Sequence, residues 1–245
     1  EVSFVGAVGA DAAGRSYLEH LRTAGIEASG VREIPGVDTG AAMILVDDLG
    51  ENLIIVDPGA NSRLEPQSVE GSIRAHEPTV LLAQLEVPIA ALEAAVAAVD
   101  ARTIVVLNPA PMPADPTLLA GVLRSVDVLV PNRRELGQFA GCEEPRNLQE
   151  VTRCLTSLPF HGTVVVTLGA DGAVVAEPGR SLVHVQAKVV EPVDTSGAGD
   201  AFCGALVVGL AAGADLADAV RRAVDVASES TLVRGAQLAV SPTVP

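Results

Sequence analysis

"VDTSGAGDAF", residues 193–202, sets five small residues between Asp194 and Asp200 and runs directly into the apolar stretch Cys203 to Ala212. A loop feeding a helix fits this pattern, and the first helical amides are then those of Gly197, Ala198, Gly199 and Asp200. Such amides have no intrahelical partner, and the helix dipole adds about half a positive charge, so the turn suits an anion such as phosphate. Gly197 and Gly199 let a ligand approach the backbone. A carboxylate at Asp200 repels that anion unless it has a task, and accepting a proton from an attacking hydroxyl is such a task. On these residues alone an equal claim belongs to a plain first-turn acid at Asp200, with Asp194 capping a turn.

Two nucleotide-binding designs are excluded or weakened. A Walker loop needs Gly-x-x-x-x-Gly-Lys before Ser or Thr, and the sole lysine of the chain is Lys188, in "QAKVV". A dinucleotide fold needs Gly-x-Gly-x-x-Gly after the first strand, whereas "VGAVGADAAG" spaces its glycines differently.

Outward from the motif, short apolar strands alternate with helical stretches from Thr79 onward: "TVLLAQLE", "PIAALEAAVAAV", "TIVVLNPAP", "VDVLVPN", "RRELGQFAG", "NLQEVTRCL" and "TVVVTLG". That order predicts right-handed βαβ units and a parallel sheet covered on both faces, with ligands at the carboxyl ends of the strands. Val2 to Val8 reads as a buried strand, followed by a helix with Tyr17, Leu18 and Leu21 on one face that Gly25 stops. "GAAMILVDDLGENLIIVD" holds two β-rich runs around Asp48-Leu49-Gly50, a hairpin signal, expected as a flap outside the main sheet. Beyond Gly172 come short strands "AVVAE" and "LVHVQ", a helix from about Gly197, and another from about Leu216 to Leu232.

With 245 residues, 49% hydrophobic and 2% aromatic, the chain fits one α/β domain with a core of Ala, Val, Leu and Ile. A net charge of −15, from 16 basic and 31 acidic residues, argues against a nucleic-acid backbone or an anionic membrane as partner. No stretch is long and apolar enough to span a bilayer. Cys142, Cys154 and Cys203 show no paired spacing, so neither a disulfide framework nor a zinc site is expected, and a reducing cytoplasm is the expected location.

"DTSGAGDAF" resembles the signature of the PfkB carbohydrate kinase family. "VSFVGAVGADAAG", "GENLIIVDPGANSRL", "LLAQLEVP", "LNPAPM", "VPNRRE", "VTLGADGA" and "RGAQ" follow in that family's order, nearest to its ribokinase group. The resemblance implies a three-layer α/β/α Rossmann-like sandwich over residues 1–245 with a small β-sheet lid at about 38–58. It implies transfer of the γ-phosphoryl group of ATP, with Mg²⁺, to the 5-hydroxyl of ribose. Kinases of the same family that act on a nucleoside, fructose or a keto-deoxy sugar acid share the pattern, as would a catalytically silent sugar- or nucleotide-binding relative.

Carried over position by position, the resemblance implies Asp200 as the base, the amides of Gly197, Ala198 and Gly199 as the anion hole, and Asn132 facing the ATP phosphates. It implies Glu135 holding Mg²⁺ through water, and Thr167, Leu168, Gly169, Ala170, Asp171 and Gly172 lining the nucleotide. Glu86 is implied to contact the sugar, and Val224 to stand near the adenine where relatives carry Asn or His. A monovalent cation, K⁺, is implied at Asp194, Ser196, Ser230, Val233, Gly235 and Ala239, the last replacing a common Ser. His20, His76, His161 and His184 match no catalytic position. Homodimers paired through the lid belong to the same pattern. The chain opens on Glu1 rather than Met, and the family's first strand, a sugar-binding Asp and a Gly-Gly-Lys-Gly-Ala-Asn segment are expected to precede it.

Overall fold

In the computed structural model, residues 1–46 and 52–236 are described, and they divide into two compact units. One unit is Glu1–Glu77 with Glu86–Asp100; the other is Pro78–Leu85 with Ala101–Pro245. The turn at Asp48-Leu49-Gly50 and residue Ala239 lie outside the described residues.

The first unit opens with β1 (Ser3–Gly9), α1 (Ala12–Thr23) and β2 (Glu27–Ile34), and β1 and β2 pair in parallel. β1 is buried only over Gly6–Gly9, so the expected buried strand is exposed over its first residues. Asp11 starts α1 by accepting the Gly14 amide at 2.7 Å, and Leu18 and Leu21 form the buried face. Gly25 (φ 73) follows the last turn, as expected of a helix stop. β3 (Ala41–Val46) and β4 (Asn52–Asp57) pair antiparallel in a sheet of their own, which is the expected hairpin ladder. Its described apolar side chains are open on both faces, Met43 and its cross-strand partner Ile55 on one and Val56 on the other, all more than half exposed. α2 (Pro66–His76) and α3 (Ile89–Ala98) complete the unit.

The second unit is built on one six-stranded sheet. Its strands are β5 (Val80–Ala83), β6 (Ile104–Leu107), β7 (Val128–Leu129), β8 (Thr163–Thr167), β9 (Ala173–Ala176) and β10 (Val183–Val185), in the order β10-β9-β8-β7-β6-β5. β5 to β8 are parallel, whereas β9 pairs antiparallel with β8 and with β10, so the sheet is mixed rather than wholly parallel. The reason is local: a 3-10 turn at Gly169–Asp171 leaves no room for a crossover helix between β8 and β9. Gly172 (φ 87) closes this turn, and a Cβ there would collide with the Val185 carbonyl.

Helices α4 (Ala120–Leu123), α5 (Arg133–Ala140) and α6 (Leu148–Ser157) lie between the parallel strands in sequence, and α7 (Ala198–Ala211) and α8 (Leu216–Ser230) follow the sheet. Leu206, Val220 and Ala223 are fully buried in a cluster with sheet residues Val106, Val165 and Ala173. Small residues let α7 and α8 approach closely: a Cβ added at Gly209 would meet Ala219 Cβ at 2.9 Å. The class is the expected α/β, a mixed central sheet with helices on both sides.

Cys142, just beyond α5, and Cys154, on α6, form a disulfide, while Cys203 is a buried free thiol. This corrects the expectation of no disulfide, because the pairing follows from α6 folding back beside α5 and leaves no mark in cysteine spacing. Among the described residues no helix is long and apolar enough to cross a membrane.

Candidate active site

The start of α7 sets the geometry. Gly197 is its N-cap at φ 74 and ψ 2, and a Cβ there would stand 2.6 Å from the Ala236 carbonyl oxygen. Only glycine takes that left-handed corner without strain. The Ala201 amide donates to the Gly197 carbonyl at 2.8 Å, and the Ala198 amide leans on the Thr195 carbonyl at 3.3 Å. Among the described residues, the amides of Gly197, Gly199 and Asp200 meet no backbone acceptor. A Cβ on Gly199 would find nothing within 4 Å, so the helix start opens onto free space with exposed Asp200 in its first turn. Unpaired amides at the positive end of a helix make an anion site.

The loop leading in is clamped by Asp194. Its Oδ1 accepts the Ser196 amide at 2.9 Å and its Oδ2 the Gly235 amide at 3.0 Å. The Gly235 amide, and then the Ser196 amide and hydroxyl, hold this carboxyl down at about 2. The Thr231 carbonyl accepts the amides of Val193 and Asp194 at 2.7 and 3.1 Å. Asp194, Ser196 and Gly235 are therefore brought together, while the Ser230 hydroxyl donates to the Ala227 carbonyl and Val233 stands half exposed. An ionised carboxylate among irregular backbone carbonyls is a donor set that suits a hard cation.

At the carboxyl end of β7, Asn132 and Glu135 cap α5 reciprocally. Asn132 Oδ1 accepts the Glu135 amide, and Glu135 accepts both the Asn132 amide and its side-chain Nδ2, all at 2.8 Å. Burial pushes the Glu135 carboxyl up, and the Asn132 hydrogen bonds oppose the rise. An isolated parallel bridge joins Asn132 to Thr167, which sets "NRRE" beside "TLGADG". There the Leu168 amide donates to the Gly172 carbonyl at 2.7 Å, and His184 bonds the Asp171 carbonyl at 2.7 Å. The Cys203 thiol is pushed up to about 12, first by burial and then by the charges of Asp200 and Glu135.

Among the described residues no three His, Cys, Asp or Glu side chains gather as a metal centre. A divalent ion at this site fits the magnesium pattern, one or two protein carboxylates with phosphate oxygens and water.

Two side chains without an expected role join the site. Gln84, after β5, donates from Nε2 to Asp200 Oδ1 at 2.9 Å and stands 3.4 Å from Asn108 Oδ1. Asn108, after β6, donates from Nδ2 to the Val130 carbonyl at 2.8 Å. The available signal was topological, since "QLE" and "LNPAP" both follow strands at their carboxyl ends. Glu86 is exposed and belongs to the first unit. Val224 is 3% exposed within the core cluster, where neighbours take up nearly all its surface.

The model of the pfkB family of carbohydrate kinases matches residues 1–244. A ribokinase of Schizosaccharomyces pombe is 32% identical over 242 residues, covering 96% of this chain and 75% of the relative. A ribokinase of Staphylococcus aureus is 33% identical over 248 residues, covering 98% and 79%. The solved structure of Arabidopsis thaliana ribokinase complexed with ribose and ATP superposes with a TM-score of 0.80 at 26% identity, covering 96% of this chain and 77% of that one.

Proposed function

The chain belongs to the pfkB family of carbohydrate kinases, and from that premise we propose that it acts as a ribokinase, moving the γ-phosphoryl group of ATP to the 5-hydroxyl of D-ribose. One observation carries the reading: the carboxylate of Asp200 stands on the first turn of α7 beside the open amides of Gly197 and Gly199. The similarity to ribokinases, one of them solved with ribose and ATP, supports the choice of substrates.

In this reading the amides of Gly197, Ala198 and Gly199 hold the transferring phosphoryl oxygens, and Asp200 takes the proton of the attacking hydroxyl. Phosphoryl transfer is mainly positioning and charge stabilisation, so fixed donors at a helix start do most of what is needed. Asn132 faces the phosphates. The turn from Thr167 to Gly172, including Leu168, Gly169, Ala170 and Asp171, supplies backbone for the nucleotide, while Glu86 accepts hydrogen bonds from sugar hydroxyls. Val224, 3% exposed, stands near the adenine in this reading and has only apolar surface to offer it.

Magnesium would be held on phosphate oxygens and water with Glu135 behind it, and when bound it neutralises charge on the phosphates. Potassium would be held by Asp194 and the carbonyls of Ser196, Ser230, Val233 and Gly235, with Ala239, outside the described residues, completing the set. Use of ATP as donor supports a cytoplasmic location, whereas the Cys142–Cys154 disulfide does not. The exposed Met43, Ile55 and Val56 on β3–β4 support pairing of two chains through that hairpin.

The test is ADP release from ATP and Mg²⁺ over a panel of ribose, fructose, a nucleoside and a keto-deoxy sugar acid. Ribose should be preferred by at least tenfold in kcat/KM. Preference for another acceptor would move the protein elsewhere in the family, and ligand binding without ADP from any acceptor would make it a silent binder.

A further inference from the structure

We infer that Gln84 is a positioning residue for Asp200, a role that rests on Asp200 being the base. Asp200 is exposed, and no hydrogen bond of its carboxylate other than that from Gln84 Nε2 is seen among the described residues. That bond, at 2.9 Å, engages Oδ1 and fixes the carboxylate with Oδ2 the less engaged oxygen, the one favoured to accept a proton. A base must be held within hydrogen-bond reach of the proton it removes, and a carboxylate free to rotate spends little time so placed.

The orientation of the Gln84 amide is itself determined. Asn108 must turn Nδ2 toward the Val130 carbonyl, 2.8 Å away, so it presents Oδ1 to Gln84. Flipping the Gln84 amide would set its oxygen against two acceptors at once, Asn108 Oδ1 and Asp200 Oδ1. A chain of side-chain amides thus runs from the backbone after β7, through the ends of β6 and β5, to the carboxylate on α7. These strands are held by buried Val106, Leu107 and Leu129, so the chain starts from rigid scaffold. A neutral amide suits the place: it donates to the carboxylate without neutralising it, whereas a Glu at 84 would repel it.

The test is a double-mutant cycle on ATP-dependent phosphorylation of the best acceptor from the sugar panel, with Gln84→Met, Asp200→Asn and the pair. Methionine keeps the length of glutamine and removes the donor. Loss of a hydrogen bond to a charged group should lower kcat roughly 10–100-fold, with KM for both substrates changed less than about threefold. In the Asp200→Asn background the same substitution should change kcat less than about twofold, because the group it acts through is gone. A purely structural Gln84 would instead lower both backgrounds equally, and that result overturns the inference. So does wild-type kcat in Gln84→Met beside an impaired Asp200→Asn, which leaves the base intact. Near-normal Asp200→Asn removes the base reading and this inference together. If Gln84→Met does not fold, Gln84→Asn, which withdraws the amide by one methylene, carries the same expectations.

Discussion

Arg133, the first residue of α5, reaches Asp171 on the turn between β8 and β9, with Nη2 2.5 Å from Oδ2. The same guanidinium donates from Nη1 to the Pro145 carbonyl at 3.2 Å, so one cation fastens the turn to the segment after α5. Its side chain is 17% exposed, against 68% for Asp171, which places the anchor on the arginine side. Removing it by Arg133→Met should loosen this turn, which the proposed function assigns to the nucleotide. Steady-state kinetics should show KM for ATP up roughly 2–5-fold with kcat nearly unchanged, the size expected of a partly exposed ion pair.

Gly197 and Gly199 should separate folding from ligand approach. Gly197→Ala forces a left-handed corner against the Ala236 carbonyl and should cost about 1–2 kcal/mol, read as a lower Tm. Gly199→Ala meets nothing within 4 Å and lies in a helix, so Tm should hold or rise. If the proposed anion hole is right, its turnover should nonetheless fall at least about tenfold, because a methyl would stand in the path of the phosphate. Normal turnover in Gly199→Ala would move the phosphate away from this helix start.

Asp11 should give the first unit an acid-sensitive stability. The Thr39 amide, the Gly14 amide and the Thr39 hydroxyl, in that order, hold its carboxyl down from 3.8 to about 2. A depressed carboxyl stabilises the folded state above its unfolded value, and the contribution is lost as pH falls from 3.8 through about 2. Thermal melts of wild type and Asp11→Asn should differ at neutral pH and converge toward pH 2. A constant difference over that range would contradict the linkage.

The Cys142–Cys154 bond closes a short loop between α5 and α6. Protein purified without reductant and then denatured should show one reactive thiol, Cys203, and three after reduction. Reduction should lower stability by about 3 kcal/mol on the loop-entropy estimate.

What was legible in the sequence was local. Strands β6 and β8 are near-continuous Val, Ile and Leu because both faces are covered, and α7 announces itself by small residues before an apolar run. The capping box at Asn132 and Glu135 lies within four residues, so its spacing alone gives the helix start. What was not legible depends on distant approach. Gln84 meets Asp200 across 116 residues and Arg133 meets Asp171 across 38, and neither partner carries a local mark. The antiparallel turn of β9 was hidden for another reason: "ADG" serves a hairpin and a nucleotide loop equally well. The burial of Val224 follows from its place on the apolar stripe of α8, which a family comparison of single positions does not reveal.

The kinase reading depends most on Asp200, so Asp200→Asn is the decisive variant. With ATP, Mg²⁺ and ribose, kcat should fall roughly 10²–10⁴-fold while the Tm stays close to wild type, the signature of an exposed side chain that moves a proton rather than holds the fold. Turnover within a fewfold of wild type would show that another group takes the proton, and the catalytic role assigned to this turn would be wrong.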